Sequence, residues 1–190
     1  MNRKILVGFV LPAVAALLVS SCSGEQEAEH NAADVTFAEG MIPHHRQAVE
    51  MSSDVPAHTA NPQVRSLAEQ IGRAQQPEID QLTRWLTDWA AAPSGNPVTG
   101  NDDPGHRGMD HGDPGGNGMS GMVDTAGLDR LRDGAFDRRW LELMVRHHTG
   151  AVGMARTELA QGRDAGAKAM ARRIVDTQQA EIATMRGMLG

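Results

Sequence analysis

The chain repeats itself without a gap. Adding 103 to a position in the first half gives its mate in the second, and the register holds across two apolar-periodic stretches and the loop between them. Asp34 meets Asp137, Glu39 meets Glu142, Met41 meets Met144, and His44-His45 meets His147-His148. Ile71 meets Ile174, Gln75-Gln76 meets Gln178-Gln179, Glu78 meets Glu181 and Ile79 meets Ile182. Each copy must therefore fold in the same way, and the two copies should close against each other about a pseudo-two-fold axis.

The repeated unit reads as a helical hairpin. At about 100° per residue, Phe37, Met41, His44, Ala48 and Met51 fall on one side of a helix over 34–55, with His45 and Ser52 just across the stripe. Pro43 is acceptable only near the helix start, or else it kinks the helix. Asn61-Pro62 is a sound N-cap and first-turn pair for a second helix over 63–90, whose inner face carries Leu67, Ile71, Gln75, Glu78 and Leu82. Helical signal returns at about 126 and runs to 160; "QGRD" breaks it, and Asp164 is the expected cap of a fourth helix from about 165 to 188. Two such hairpins predict an all-α four-helix bundle. Aromatics at 3%, no Tyr and 11 Met suit close-packed helices.

The remaining segments are not bundle material. Arg3 and Lys4 precede the apolar run "ILVGFVLPAVAALLV", which is too short to span a bilayer comfortably. It ends in "VSSC", residues 19–22, which resembles a bacterial lipobox. The expectation is a signal peptide over 1–21 and lipidation of Cys22, the only Cys, with polar residues 22–33 as a tether. Acyl chains on Cys22 would hold the protein to the outer face of a membrane. Residues 91–123 are rich in Gly, Pro, Asp and Asn and read as a linker. A net charge of −6 argues against nucleic acid as a partner.

The doubled histidines carry the chemistry. "MIPHHRQAVEM" and "MVRHHTGAVGM" agree at Met, His, His, Ala, Val and Met in the same spacing. Pairing the hairpins brings His44, His45, His147 and His148 toward Met41, Met51, Met144 and Met154 in one core. Burying unpaired imidazoles costs free energy, and a bound metal ion offsets that cost. Thioether and imidazole without thiolate suit copper, especially Cu(I). Ala48 and Ala151, one turn on, leave room. Glu78 and Glu181 face inward, either to hold the far nitrogen of a ligand His or as ligands themselves. Gln75 and Gln178, one turn away, could act similarly. The alternative is a polar core in which these groups simply satisfy the histidines. The linker adds His106, Met109, His111, Met119 and Met122, a Cys-free cluster of soft ligands like those of extracytoplasmic copper proteins.

"DVTFAEGMIPHHRQAVEM" and "FDRRWLELMVRHHTGAVGMARTEL" resemble the two signature segments of the DUF305 family, and "IGRAQQPEIDQLTRWL" and "IVDTQQAEIATMRGML" resemble its second and fourth helices. The resemblance spans roughly 34–190 apart from the linker. It implies a ferritin-like four-helix bundle, often exported, with some members linked to copper binding and tolerance. Gly40 and Arg46 depart from the family pattern and leave the His-His motif intact.

Three functions compete. The first is a lipid-anchored copper-binding protein or chaperone outside the cytoplasm, passing its ion by ligand exchange. The second is a ferritin-type di-metal oxidase using Glu39, Glu78, Glu142 and Glu181; it wants Glu-x-x-His motifs that the signature helices lack. The third is a metal-free structural or interaction lipoprotein. The first accounts for most of the sequence.

Overall fold

The structure, a computed structural model, describes residues 29–91 and 121–190. Its elements are α1 (Ala32–His58), α2 (Pro62–Ala91), a short 3-10 turn (Leu128–Arg130), α3 (Asp133–Gln161) and α4 (Ala165–Leu189). The four helices form an all-α bundle of two hairpins, α1 with α2 and α3 with α4. The expected signal peptide, Cys22 and most of the linker lie outside the described residues.

Local chemistry sets the helix ends. Asn31 caps α1: its Oδ1 accepts from the N–H groups of Ala33 and Asp34, and Asp34 Oδ2 accepts from Asn31 N in return. α1 therefore begins slightly before the expected position. It continues through Pro43 to His58. Asn61 Oδ1 accepts from Gln63 N at the head of α2, and Asp164 Oδ1 accepts from Ala167 N at the head of α4, both as the sequence indicates. α3 starts later than expected. Gly127 takes φ +79° and Leu131 is extended, so the residues before Asp133 form a turn and one 3-10 turn instead.

The hairpins dock through α1 and α3, which run antiparallel. Asn31 Nδ2 donates to Gln161 O at 2.9 Å, His147 Nε2 donates to His44 O at 2.9 Å, and Trp140 Nε1 donates to Met51 O at 3.0 Å. These bonds run from one end of α1 toward the other and fix its register on α3.

The interior is divided. One apolar cluster holds Met51, Val55, Leu67, Ile71, Phe136, Trp140, Met144 and Met185. The other holds Phe37, Met41, Ile79, Leu82, Met170 and Ile174, with Met154 packed against it. Between Ile71 and Ile79 of α2 stands Gln75, and between Ile174 and Ile182 of α4 stands Gln178. Both glutamines and all four paired histidines are buried. A polar belt thus crosses the bundle at mid-length, where apolar side chains would have been the cheaper filling.

Candidate metal centre

The belt is built by the duplication. His44 and His147, mates in the repeat, face each other across the hairpin interface with ring centroids 3.7 Å apart. His45 and His148 lie outside them, at 6.4 and 6.1 Å from their sequence neighbours. Consecutive helical residues point about 100° apart, so one pair of positions lets each hairpin send one imidazole to the interface and one toward its own second helix. There His45 Nε2 meets Glu78 Oε2 at 2.7 Å, and His148 Nε2 meets Glu181 Oε2 at the same 2.7 Å. The glutamates are partly buried and reach in from α2 and α4.

These partners assign the protons. A carboxylate can only accept, so Nε2 of His45 and of His148 carries the hydrogen of each bond. The carbonyl of His44 does the same for His147 Nε2. The Nδ1 atoms of His45, His147 and His148 have no hydrogen-bond partner, nor has either nitrogen of His44. Burial holds His44 down to about 3, with further lowering from His45 and His148. Burial likewise holds His147 down to about 2, with His44 as the next cause. Both rings are therefore neutral at any physiological pH, and neutral imidazole is the form that binds metal.

Unpartnered, neutral and buried nitrogens fit a metal ion. Yet among the described residues no group of three or more His, Cys, Asp or Glu side chains is arranged to hold one. Among the described residues, histidine and carboxylate alone therefore do not form a ready coordination shell. Met41 and Met144 are fully buried and Met51 nearly so, while Met154 is half-buried. They flank the belt in pairs: Met41 and Met154 belong to one apolar cluster, Met51 and Met144 to the other.

Other expected residues stand apart. Both amide atoms of Gln75 and Oε1 of Gln178 lack any partner, so those atoms do not hold an imidazole as the glutamates do. Glu39 and Glu142 point to solvent. Met122 lies on the segment that returns to the bundle, and it is exposed. His106, Met109, His111 and Met119 lie outside the described residues.

Two features escaped sequence reasoning. Gln47 clamps that returning segment: its Nε2 donates to Val123 O at 2.9 Å and its Oε1 accepts from Val123 N at 3.0 Å. Its mate in the repeat is Gly150, and this mismatch inside the matched motif was the available signal. The second is Glu158, buried where its mate Val55 is apolar. Glu158 sits beside Asp34. Burial and the close approach and charge of Asp34 push it up to about 8. Burial pushes Asp34 up as well, but the N–H groups of Asn31, Asp164 and Arg163 and the Glu158 side chain together hold it below the usual range. At neutral pH Glu158 keeps its proton and Asp34 does not, because two adjacent carboxylates resist sharing two negative charges.

Comparison with known proteins supplies a family. The model of DUF305, a domain of unknown function, matches residues 34–189. A search of curated proteins finds no match. Among solved structures, a DUF305 protein from Streptomyces coelicolor, assigned as secreted, is 32% identical with a TM-score of 0.67, covering 83% of this chain and 91% of its own. A DUF305 fragment from Deinococcus radiodurans is 33% identical with a TM-score of 0.66, covering 84% and 97%. CopM in its Cu(II)-bound form is 28% identical with a TM-score of 0.64, covering 82% and 95%. The gapless repeat, the doubled His-His motif and the four-helix bundle agree with these matches: the chain belongs to the DUF305 family.

Proposed function

We propose that the bundle is an extracytoplasmic copper-binding protein, holding the ion in its polar belt. The observation that carries this reading is the set of five unpartnered nitrogens on four fully buried imidazoles, three of them with the other ring nitrogen fixed by an acceptor. His44, His45, His147 and His148 supply the nitrogens. Met41, Met51, Met144 and Met154 supply thioethers on either side. Glu78 and Glu181 orient His45 and His148 through the 2.7 Å contacts at Nε2. CopM, a solved neighbour, has a Cu(II)-bound form, which supports copper as an ion this fold can take. An apolar surround and the lack of thiolate in the bundle favour Cu(I) and its handover by ligand exchange. The oxidase alternative loses support, since its carboxylates on α1 and α3, Glu39 and Glu142, face solvent.

The reading is tested by offering the full chain equal copper, zinc, iron and manganese under reducing conditions, desalting, and measuring the retained metals. Copper should dominate. Preferential retention of iron or manganese would replace this function with oxidase chemistry.

The same proposal includes export and anchoring through Cys22, because "VSSC" follows a short apolar run. Cys22→Ala should move the protein from the membrane fraction to the medium or periplasm. Unchanged membrane association would remove the lipid anchor from the account.

A further inference from the structure

The pseudo-two-fold symmetry fails at one place in the belt, beside His44. The chain returning from the linker crosses the bundle there. Gly121 has φ +90°, a conformation that favours glycine. A Cβ on Gly121 would run into Gly150 Cα of α3 and would stand 2.9 Å from His44 Nε2. The backbone of Gly121 therefore lies directly against the one imidazole whose two nitrogens both lack a partner. Two residues later, Val123 is held by both amide atoms of Gln47.

Three positions cooperate in this seat, and two of them, Gln47 and Gly150, are mates at which the repeat differs. Gln47 grips the strap from α1. Its mate Gly150 removes the side chain that would block the strap on α3. Gly121 brings the backbone within reach of both helices. Between them stands Met122, the exposed large apolar side chain of the described residues. On the other side of Gln47, a cleft of about 310 Å³ is lined by Glu50, Met51, Asp54 and Asp129, which places acidic groups near the latch.

We infer that Gly121–Val123 is a latched gate over His44, with Met122 as the outer thioether from which a soft cation passes to His44 Nε2 when the latch opens. The handover is a ligand exchange: the ion–sulfur bond breaks as the ion–nitrogen bond forms, with no electron transferred. The cation part rests on the copper reading; the gate does not. One amide clamp of two hydrogen bonds is a modest closure, so a single substitution can shift it.

The test uses the full chain and two independent variants. Gln47→Ala removes the latch; Gly121→Ala ejects the strap by steric conflict. In the metal-free protein, carbethoxylation of His44 by diethyl pyrocarbonate, followed by peptide mapping, should be slow in the parent and at least about fivefold faster in both variants. Cu(I) supplied from a chromophoric chelator should load faster into Gln47→Ala, with the final copper content unchanged, and slower into Met122→Leu. If His44 is equally reactive in the parent and both variants, the gate is wrong. If His44 reactivity rises but no protein loads copper, the gate stands and the copper reading falls. If Met122→Leu loads at the parental rate, Met122 is not the outer ligand.

Discussion

The metal-free protein should be most stable near pH 6.5 and lose stability on both sides. Two opposing groups set this. His44 and His147 are held down to about 3 and about 2, so below 6.5 the unfolded chain binds protons that the folded chain refuses. Their contribution is complete above 6.5 and is lost as the pH falls toward the folded values. Glu158 acts in the other direction. It is held up to about 8 against an ordinary 4.5, so its contribution is complete below 4.5 and is lost as the pH rises through about 8.

Each unmatched proton changes stability by about 1.4 kcal/mol per pH unit. Between 4.5 and 6.5 the two histidines outweigh the one glutamate by a single proton, so about 3 kcal/mol goes on acidification across that window. Below 4.5 the slope doubles, because Glu158 is then protonated in both states, and a domain of ordinary stability unfolds within about two further units. Asp34, held below its ordinary value, adds loss in the same direction. Above 6.5 Glu158 alone removes about 2 kcal/mol by pH 8. Urea denaturation of the metal-free full chain from pH 4 to 9, followed by circular dichroism, checks this. Glu158→Val, which restores the residue at the mate position, should abolish the alkaline limb and leave the acid limb. A flat profile from 5 to 8 would mean that these groups are solvated.

His44→Leu should stabilise the metal-free protein and cripple its copper binding. His44 buries two nitrogens that bond to nothing, and leaving a buried polar group unsatisfied costs roughly 1–3 kcal/mol. Leucine of similar size removes that cost while keeping the volume, so a gain of about 1–2 kcal/mol at pH 7 is expected. His147→Leu should gain less, because His147 Nε2 satisfies the carbonyl of His44. Copper affinity should fall by more than about tenfold, beyond the loss of one orienting partner. Stability and function moving in opposite directions is the signature of residues kept for a ligand. Loss of stability in His44→Leu would make His44 a packing residue.

Much of this was legible in the sequence because a repeat is self-checking. The offset that aligned His44 with His147 also aligned Gln75 with Gln178 and Glu78 with Glu181, and both His–Glu pairs close at the same 2.7 Å. Inner faces were readable from helical period, since Phe37, Met41, Leu67, Ile71 and Leu82 are all buried. The start of α3 was not readable. Apolar residues from 126 onward continue a helical pattern, but the backbone of Gly127 and Leu131 turns the chain first. Nor could period alone say that the Gln75 amide would lack partners, because two rings and two glutamates already satisfy each other. The strap was invisible for a different reason. A contact between Gly121 and α3 depends on where a loop returns, and no local pattern encodes that. What the sequence did hold were mismatches in a matched repeat, Gln47 against Gly150 and Val55 against Glu158.

The most direct test of the central claim compares copper retained by the full chain and by a variant with His44, His45, His147 and His148 all replaced by Ala. Both are loaded with Cu(I), desalted and measured by elemental analysis, with circular dichroism confirming a helical fold in each. The parent should keep copper and the variant should lose all but weakly held ion. A folded variant that keeps as much copper as the parent would contradict a metal centre in the polar belt and move it to the linker methionines and histidines.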